Sequence, residues 1–354
     1  MSNQVKAIKS PRQTVGYAAL ERGGKLVPWT FERRALREHD VAMNVLYSGV
    51  CHSDLHAIHE WGKNYPLVPG HEIVGEVTEV GSAVTRFKAG DRVMIGTIID
   101  SCRVCPHCRQ QEETYCYEFP VTTYDGHDRV DGSLTRGGYS DYYVADEHFV
   151  YPLPEGLDPA GAAPLLCAGV TTFAPLRHWQ AGEGSVVGIV GIGGLGHLAI
   201  KFARAMGAHV VAFTTSAQKR EQALALGAHE VVLSTDEKQM AAQRLRFDFI
   251  LDTVSRSYPL TPMIHALKLD ATLCSLGIPP YFDLQPIALA MGRRRLASSG
   301  AAGTKDTRAM LAFCQQHNIV ADVEVVAIRD INSVLARLEK GDVRYRFVID
   351  MQRG

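Results

Sequence analysis

Four cysteines within fifteen residues are the densest group of potential metal ligands in the chain. Their spacing is Cys102-x2-Cys105-x2-Cys108-x7-Cys116. Structural Zn²⁺ sites take four tetrahedral ligands, and short Cys-x2-Cys spacing lets one turn supply consecutive thiolates. Disulfides are a weaker interpretation, because clustered cysteines in a large chain without a visible secretory signal more often bind metal. The cluster therefore predicts a closed, structural zinc site.

A second set of potential ligands is scattered along the sequence. Cys51 lies in a polar run with two histidines, His71 and Glu72 follow about twenty residues later, and Cys167 is distant from both. Taken singly, each of these residues is more often buried in a core than bound to metal. Two cysteines and one histidine nevertheless match a catalytic zinc site that keeps a fourth position open.

A glycine-rich turn supplies candidates for cofactor binding. It follows an apolar segment and precedes a helical pattern. In this context the glycines permit a tight turn and let a pyrophosphate approach the backbone amides at the helix N-terminus. The sequence therefore predicts a dinucleotide site. The residues of the turn are Gly191, Ile192, Gly193, Gly194, Leu195 and Gly196.

The end of the next predicted strand bears on which dinucleotide binds. NAD sites place Asp or Glu there, because a carboxylate binds the ribose 2′-hydroxyl. Here Thr214, Thr215 and Ser216 occupy the position, and Lys219 and Arg220 follow. Hydroxyls and cations suit a 2′-phosphate. The sequence therefore predicts NADP(H) rather than NAD(H).

The elements that must position these residues change in character near residue 160. Before it, short β-branched runs separated by Gly75, Gly81 and Gly90 predict a small barrel or sandwich. The polar stretch 100–138 has no clear period, so something other than a core must order it. From 185 onward, apolar runs alternate with helical patterns, which predicts a parallel, doubly wound sheet.

The individual elements of the second half follow from hydrophobic periodicity. Predicted strands lie at 185–190, 209–213, 230–233, 247–251, 271–276, 295–299, 321–326 and 346–350. Predicted helices lie at 195–206, 219–226 and 307–317.

Composition narrows the partners that we expect. The 354 residues include 37 Lys+Arg and 38 Asp+Glu, for a formal net charge of −1. This balance predicts no general attraction to nucleic acid or to an anionic membrane. The first ten residues contain no apolar signal region, so we expect a cytoplasmic protein without nucleic-acid or membrane partners.

One further motif links these features to a family. Gly70-His-Glu-x2-Gly75-x5-Gly81-x2-Val84 resembles the zinc alcohol dehydrogenase signature of the medium-chain dehydrogenase/reductase superfamily. The cysteine cluster, Cys51, Cys167 and the glycine turn stand in the matching order along essentially the whole chain. The resemblance is closest to the cinnamyl-alcohol-dehydrogenase-like branch, which includes bacterial NADPH-dependent aldehyde reductases.

The resemblance implies an α/β fold with two domains. A GroES-like β-barrel catalytic domain would span 1–158 and carry the structural zinc lobe. A doubly wound Rossmann domain that binds NADP(H) would span 159–300, and 301–354 would return to the catalytic domain. Family members usually dimerise through their Rossmann sheets, so a homodimer is also implied.

The resemblance also implies roles for individual residues. The catalytic zinc would take Cys51, His71 and Cys167, with Glu72 in or next to the coordination shell. Ser53 matches the hydroxyl that binds the alcohol oxygen, His56 matches the outer end of a proton relay, and Asp54 matches the carboxylate that orients the zinc histidine. The cofactor cleft would also include Thr171, Thr253, Gly277, Gly300, Ala301 and Ala302.

Together these features predict a zinc-dependent oxidoreductase that interconverts primary alcohols and aldehydes with NADP(H), with a broad range of aromatic and aliphatic aldehydes. A zinc-dependent polyol or secondary alcohol dehydrogenase is the alternative, although the Cys₄ lobe disfavours a polyol enzyme. The complete ligand set disfavours a zinc-free quinone reductase and a redox sensor or chaperone with an inactive site. A nucleic-acid-binding zinc module is disfavoured because Arg103 and Arg109 are offset by Asp100, Glu112 and Glu113.

Overall fold

The computed structural model describes residues 10–353, which divide into two compact units. Unit 1 contains the described residues up to Cys167, Gly303–Gln315 and the residues from Asp322 onward. Unit 2 contains Ala168–Ala302 and Gln316–Ala321. The domain bounds that we derived from the sequence stay a prediction. Residues 1–9, where we predicted no secretory signal, lie outside the described residues.

Residues 10–353 contain seventeen β-strands. They are β1 Arg12–Ala19, β2 Leu26–Arg33, β3 Asp40–Val50, β4 Ile73–Val80, β5 Arg92–Ile95, β6 Ile98–Asp100, β7 Val121–Thr122, β8 Tyr142–Asp146, β9 Val150–Pro152, β10 Val186–Val190, β11 His209–Thr214, β12 Glu230–Leu233, β13 Phe247–Asp252, β14 Leu267–Ser275, β15 Arg295–Ser298, β16 Val323–Ala327 and β17 Arg346–Asp350.

The same residues contain eleven α-helices, several of them a single turn long. They are α1 His52–His56, α2 Pro106–Arg109, α3 Pro159–Ala162, α4 Ala168–His178, α5 Gly196–Ala205, α6 Arg220–Ala225, α7 Glu237–Ala241, α8 Thr261–Ala266, α9 Ile287–Ala290, α10 Thr304–His317 and α11 Ile331–Glu339. A π-helical turn, Ala57–Trp61, continues α1.

Unit 1 is built around a seven-stranded sheet with β3 near its centre. The order is β16-β17-β3-β4-β5-β9, and β8 also pairs with β3. Val41, Met43 and Val45 of β3 pack in the core beneath this sheet, as expected for β-branched and long apolar side chains. The antiparallel pairing of β17 with β3 sets Phe347 opposite Val50, which brings the C-terminal strand next to Cys51.

Unit 2 contains a six-stranded parallel sheet in the order β12-β11-β10-β13-β14-β15. Numbered within the unit, this order is 3-2-1-4-5-6, that of doubly wound dinucleotide-binding folds. The predicted strands and helices of this region are present. Strand β14 begins at Leu267, four residues earlier than predicted, because a register shift against β13 extends the pairing. The order reverses between β10 and β13, where such folds bind their ligands.

Membrane-spanning potential was assessed over residues 10–353. No single helix there is long and apolar enough to cross a bilayer. One bent pair, Pro159–Leu166 with Ala168–His178, reaches the required length and composition only when the two segments are taken together.

Candidate active site and metal centres

Three separate segments of unit 1 carry the scattered ligand candidates. Cys51 lies between β3 and α1, His71 and Glu72 immediately precede β4, and Cys167 follows a 3₁₀ turn at 163–166. Gly70 is needed before His71, since its φ is +99° and a Cβ atom there would lie 2.6 Å from the Tyr139 ring. The sheet register and this turn therefore fix where the ligands point.

The structure brings these four side chains together; Cys51, His71 and Glu72 are buried, and Cys167 is half-buried. One ligand atom from each of Cys51, His71, Glu72 and Cys167 lies within 4.8 Å of the others. The two sulfurs are 4.0 Å apart, and His71 Nε2 is 3.9 Å from Glu72 Oε1.

Asp54 organises the ring of His71 and the backbone around it. Its Oδ1 lies 3.1 Å from His71 Nδ1 and accepts from the Gly70 amide, while Oδ2 accepts from the Cys51 amide and the Tyr139 hydroxyl. Burial opposes protonation of His71, but the Asp54 carboxylate raises the pKa of that ring well above its usual value. Because Asp54 holds Nδ1, the Nε2 atom remains for a metal.

Glu72 is buried and forms an ion pair with the buried Arg346 of β17. Its second oxygen, Oε2, has no hydrogen-bond partner among the described residues. Gly49 makes room for this side chain, because a Cβ there would lie 1.9 Å from Oε2. Burial raises the pKa of Glu72, and the Arg346 guanidinium opposes that rise.

These observations test whether the group fits a zinc ion. Two thiols without a disulfide, an imidazole nitrogen and a carboxylate oxygen converge in one place, and the other evidence of an open position is Glu72 Oε2, which has no hydrogen-bond partner among the described residues. A hydrogen bond between the thiols lowers the pKa of Cys51 and raises that of Cys167. Soft sulfur and imidazole donors are those that Zn²⁺ prefers, so the donor set fits.

The predicted relay residues lie on α1, directly after the first ligand. Ser53 Oγ is 3.6 Å from Cys51 Sγ. His56 stands one helical turn later, and the two are neighbours on the helix surface. His56 Nδ1 lies 3.1 Å from Glu60 Oε2, and its ring stacks on Trp61 with centroids 4.7 Å apart. Sequence reasoning missed both contacts of His56.

The four clustered cysteines form a second compact group. Their sulfurs lie within 4.8 Å of one another, and those of Cys102 and Cys108 are 3.8 Å apart. Backbone amides point at the sulfurs: Cys105 N donates to Cys102 Sγ, and Cys108 N donates to Cys105 Sγ. The amides of Cys108 and Tyr117 lower the pKa of Cys105 to about 6. Burial raises the pKa of Cys108 to about 12, so the thiols do not all share this shift. Four free thiols at these distances nevertheless fit a closed Zn²⁺ site.

The lobe carrying these cysteines is anchored by a residue that sequence reasoning missed as a functional candidate. The buried Glu113 accepts from the amide and hydroxyl of Thr304, at the start of α10, at 2.8 and 2.9 Å. His148 Nε2 lies 2.8 Å from the same carboxylate. These hydrogen bonds lower the pKa of Glu113, although burial acts against them. Conservation of this carboxylate among related sequences would have been the signal for its role, and a single sequence contains no such information.

In unit 2, the glycine turn joins β10 to α5 as predicted. Gly191 has φ +88°, and a Cβ on Gly196 would lie 1.9 Å from the Gly191 carbonyl oxygen. Gly193 has open space where its Cβ would be, which suits the approach of a ligand to the backbone. Thr253 supports the turn by donating its hydroxyl to the Val190 carbonyl at 2.9 Å.

A cavity of about 770 Å³ opens in unit 2 beside this turn. Thr214, Thr215 and Lys219 line it, together with Gly191. Lys219 Nζ donates to the Ile192 carbonyl at 3.0 Å, so the cation lies next to the turn. No carboxylate stands at the end of β11, as the sequence already indicated.

The remaining cofactor candidates are placed as follows. Arg220 donates to the Val231 carbonyl at 3.3 Å and does not line the cavity, and neither does Ser216. Two cations that sequence reasoning missed, Arg244 and Arg256, do line it. The other candidates lie on α4 or just beyond the carboxyl ends of β14 and β15: Thr171, Gly277, Gly300, Ala301 and Ala302.

Comparison with known proteins defines the class of this fold and site. Residues 37–155 match the family described as "Alcohol dehydrogenase GroES-like domain", and residues 194–316 match "Zinc-binding dehydrogenase". A probable mannitol dehydrogenase of Fragaria ananassa is 50% identical over 96% of each chain.

Solved structures agree with this class. A cinnamyl alcohol dehydrogenase of Sorghum bicolor superposes with a TM-score of 0.92 at 44% identity, covering 96% of this chain and 98% of that one. The "CAD from Helicobacter pylori complexed with NADP(H)" superposes with a TM-score of 0.90 at 34% identity, covering 97% and 99%.

The chain therefore belongs to the zinc-binding alcohol dehydrogenase family of medium-chain dehydrogenases. It is an oxidoreductase of alcohols and aldehydes, and its substrates are small molecules. The predicted fold class, a GroES-like domain with a Rossmann-type domain, is confirmed, and zinc and NADP(H) are confirmed as cofactors at the level of the family. The bacterial part of the resemblance stays a prediction.

Proposed function

We propose that this chain interconverts primary alcohols and aldehydes with NADP(H), using Cys51, His71 and Cys167 as catalytic zinc ligands and Glu72 beside them. The observation that carries this proposal is the convergence of four donor atoms within 4.8 Å of one another, beside a Glu72 carboxylate whose Oε2 has no hydrogen-bond partner among the described residues. The Cys₄ lobe holds a second, structural zinc ion. When bound, the catalytic zinc polarises the substrate oxygen, and NADP(H) accepts or supplies the hydride.

The charges around the donor group support this role. Arg346 neutralises Glu72, and Asp54 holds the His71 ring through Nδ1, so both side chains are oriented before any ligand binds. Such supporting contacts typically change metal affinity or activity by about 10–100-fold when removed. Asp54 is therefore a positioning residue in this proposal.

Ser53 and His56 handle the substrate proton in this proposal. The Ser53 hydroxyl stands beside the Cys51 sulfur, where it accepts the proton of an alcohol or returns it to the product of aldehyde reduction. His56, about one-third exposed and one helical turn away, passes that proton to solvent. Histidine suits this position because its ordinary pKa is close to neutral.

The cofactor preference rests on Thr214, Thr215 and Lys219. Two hydroxyls and one ammonium line the cavity where an NAD enzyme places a carboxylate. A hydrogen bond to a charged group contributes about 1.5–3 kcal/mol, which corresponds to about tenfold or more in affinity. Arg220 was predicted to join them, and its contact with Val231 leads us to propose a smaller contribution.

The experiment measures kcat/KM for NADPH and NADH with one aldehyde. We expect NADPH to be preferred at least tenfold, and this preference to shrink as salt screens the phosphate. Lys219→Gln lowers the value for NADPH and leaves that for NADH unchanged, whereas Arg220→Gln changes both little. Thr215→Asp reverses the preference. Equal values for the two cofactors in the wild type would refute the assignment.

The substrate range is the finer part of the proposal. We propose aromatic and medium aliphatic aldehydes, in line with the cinnamyl alcohol dehydrogenase among the matching structures. A polyol substrate is the competing possibility, because a probable mannitol dehydrogenase is 50% identical. Rates with cinnamaldehyde, hexanal and mannitol at equal cofactor concentration separate the two. Turnover of mannitol alone would favour the polyol enzyme.

We also propose a homodimer formed through unit 2. Strand β15 is at the edge of the six-stranded sheet and pairs only with β14 among the described strands. Exposed apolar side chains lie nearby in the chain at Ile278, Ile287 and Met291. Light scattering after size exclusion gives the mass, and a 38.8 kDa particle would contradict the dimer. The cytoplasmic location and the lack of nucleic-acid and membrane partners stay predictions.

A further inference from the structure

One buried acidic side chain of unit 2 has no role in the function described so far. Asp252 is the last residue of β13 and is 2% exposed. It is one of six buried acidic side chains among the residues that the structure describes, and the other five each form an ion pair with an arginine or a histidine. Those five are Asp40, Asp54, Glu72, Glu113 and Asp350. Asp252 forms no ion pair with any described residue, so the fold offers its charge no cation.

The two carboxylate oxygens of Asp252 hold the chain that leaves β13. Oδ1 accepts from the Val254 amide at 3.0 Å, and Oδ2 accepts from the Tyr258 hydroxyl at 2.8 Å. Burial raises the pKa of Asp252 to about 6, and these two hydrogen bonds oppose that rise. One side chain therefore fixes both ends of the segment 254–258.

This segment forms part of the wall of the 770 Å³ cavity beside the glycine turn. Val254, Arg256 and Tyr258 line the cavity, as do residues of the turn. Val254 lies close to the turn, since a Cβ atom on Gly191 would be 3.1 Å from Val254 Cγ2. Doubly wound folds bind their ligands at this edge of the sheet, where the strand order reverses.

The energetics of Asp252 favour a role in positioning this wall. A buried carboxylate without a cation is unfavourable, and an apolar side chain of similar size would avoid that cost. Buried titratable groups of this kind are concentrated at functional sites. Both residues that donate to Asp252, Val254 and Tyr258, line the cavity, so the carboxylate acts directly on its wall.

We propose that Asp252 is a positioning residue for the dinucleotide, which holds Val254 and Tyr258 in the conformation that binds the adenosine 2′-phosphate half of NADP(H). This inference rests on the proposed function, which places the 2′-phosphate beside Thr215 and Lys219 in the same cavity. A wall that is fixed before the cofactor arrives loses less conformational entropy on binding. Because the hydride is transferred at the nicotinamide end, Asp252 acts on cofactor affinity and not on the rate at saturation.

The test measures binding of adenosine 2′,5′-bisphosphate to the zinc-loaded, full-length protein by titration calorimetry, together with KM for NADPH and kcat. In Asp252→Ala we expect the affinity to fall about fivefold or more and KM to rise by the same factor. We expect kcat to stay within about twofold of the wild type, as for a residue that affects binding alone. A fall in kcat with KM unchanged would contradict the positioning role.

Tyr258→Phe is the second variant, and it keeps the test decisive if Asp252→Ala does not fold. It removes one of the two hydrogen bonds to Asp252 and retains the aromatic ring. We expect a smaller loss of bisphosphate affinity, about twofold to fivefold, with kcat again unchanged.

Asp248→Ala is the matched control, because Asp248 lies on the same strand and also accepts from a backbone amide, that of Val186, at 2.9 Å. Neither Val186 nor Lys268, the cation paired with Asp248, lines the cavity. We expect this variant to bind the bisphosphate as the wild type does. A loss as large as that in Asp252→Ala would overturn the inference, since the effect would not depend on the cavity wall.

Lys219→Gln, measured in parallel, separates this inference from the proposed function. Weaker binding in Lys219→Gln, with wild-type affinity in both Asp252→Ala and Tyr258→Phe, would overturn the role of Asp252 and leave the cofactor site in place. Wild-type affinity in all three variants would overturn the proposed cofactor site as well.

Discussion

The two cysteine-containing sites of unit 1 use similar donor atoms, but one takes them from a single loop and the other from distant segments of the chain. In the Cys₄ lobe, all ligands come from one short loop, and backbone amides are the main support of the sulfurs. In the other site, Cys51 and Cys167 are 116 residues apart, and the support comes from the buried side chains of Asp54 and Arg346. The lobe has little hydrophobic core of its own. Its folded conformation therefore depends on bound metal more than the conformation of the other site does, because that other site is supported by the sheet of unit 1.

This difference predicts that the lobe contributes to folding and the other site to turnover. The largest effect should come from Cys105→Ser. Binding of structural zinc in small peptides releases about 10–16 kcal/mol, and losing one ligand forfeits much of the corresponding stability. We expect a lower melting temperature, lower yield and one zinc ion per chain by elemental analysis.

The control for that variant is Cys314→Ala, which removes a buried thiol on α10 that belongs to neither cysteine group. It should retain two zinc ions, and its free energy of unfolding should fall only by the smaller amount expected when a buried side chain is truncated. A Cys105→Ser protein as stable as the wild type, still holding two zinc ions, would contradict the distinction between the sites.

Cys51→Ser should have the opposite signature. Loss of charge stabilisation at the substrate oxygen is worth several kcal/mol, so kcat/KM should fall by about 10³-fold or more. The melting temperature should change little, because β3 and α1 keep their packing. Cys167→Ser should behave in the same way. Aldehyde reduction near the wild-type rate in either variant would remove the catalytic assignment.

Ser53→Ala sharpens the comparison within the catalytic site. A proton relay of this kind contributes roughly 10²–10⁴-fold to the rate. We expect kcat to fall by that order while NADPH binding, followed by fluorescence, stays unchanged. His56→Ala should cost less, since water can replace the outer member. Wild-type rates in Ser53→Ala across the pH range would show that the hydroxyl carries no proton.

The smallest effect concerns how the lobe is attached. Glu113→Gln keeps the shape of the side chain but replaces an oxygen acceptor that serves Thr304, which should cost about 1.5–3 kcal/mol of stability. The pKa of Glu113 is lower in the folded protein than in the unfolded chain. Its contribution to stability is therefore fully present above the pKa of the unfolded chain, and it is lost as the pH falls through the pKa of the folded protein.

The stability difference between wild type and Glu113→Gln should therefore be full at neutral pH and shrink in acid. Urea unfolding at pH 7 and near pH 4 measures it. Gln111→Ala is a suitable comparison, because Gln111 contacts Arg308 of the same helix from an exposed position. A difference that grows as the pH falls would show that Glu113 does not anchor the lobe.

Much of unit 2 was predictable because its signals are local. The apolar run 186–190, the glycine turn and the helical spacing that follows are adjacent in sequence, and each implies the next. Helix α4 was not predicted, since Pro175 and Gly169 oppose a helix and only burial stabilises it there. Helix α11 was also missed, although Ile331, Val334 and Leu338 follow a helical period.

The candidate sites also differ in whether the signals for them in the sequence are local. The spacing of the four cysteines and the absence of a carboxylate after β11 are properties of neighbouring residues. The sequence by itself therefore predicted a zinc-binding lobe and a preference for NADP(H). The scattered ligands needed a family resemblance, because a cysteine and a histidine far apart have no spacing rule that joins them.

Only the tertiary structure decided which distant side chains meet. Arg346 and Glu72 are 274 residues apart, and the pairing of β17 with β3 brings them into one buried ion pair. The same kind of contact places Tyr139 on Asp54, and the buried Arg33 on the backbone carbonyls of Arg136 and Gly137. Strand register depends on how two hydrophobic faces pack across the whole sheet, and that information is spread over residues that no local pattern connects.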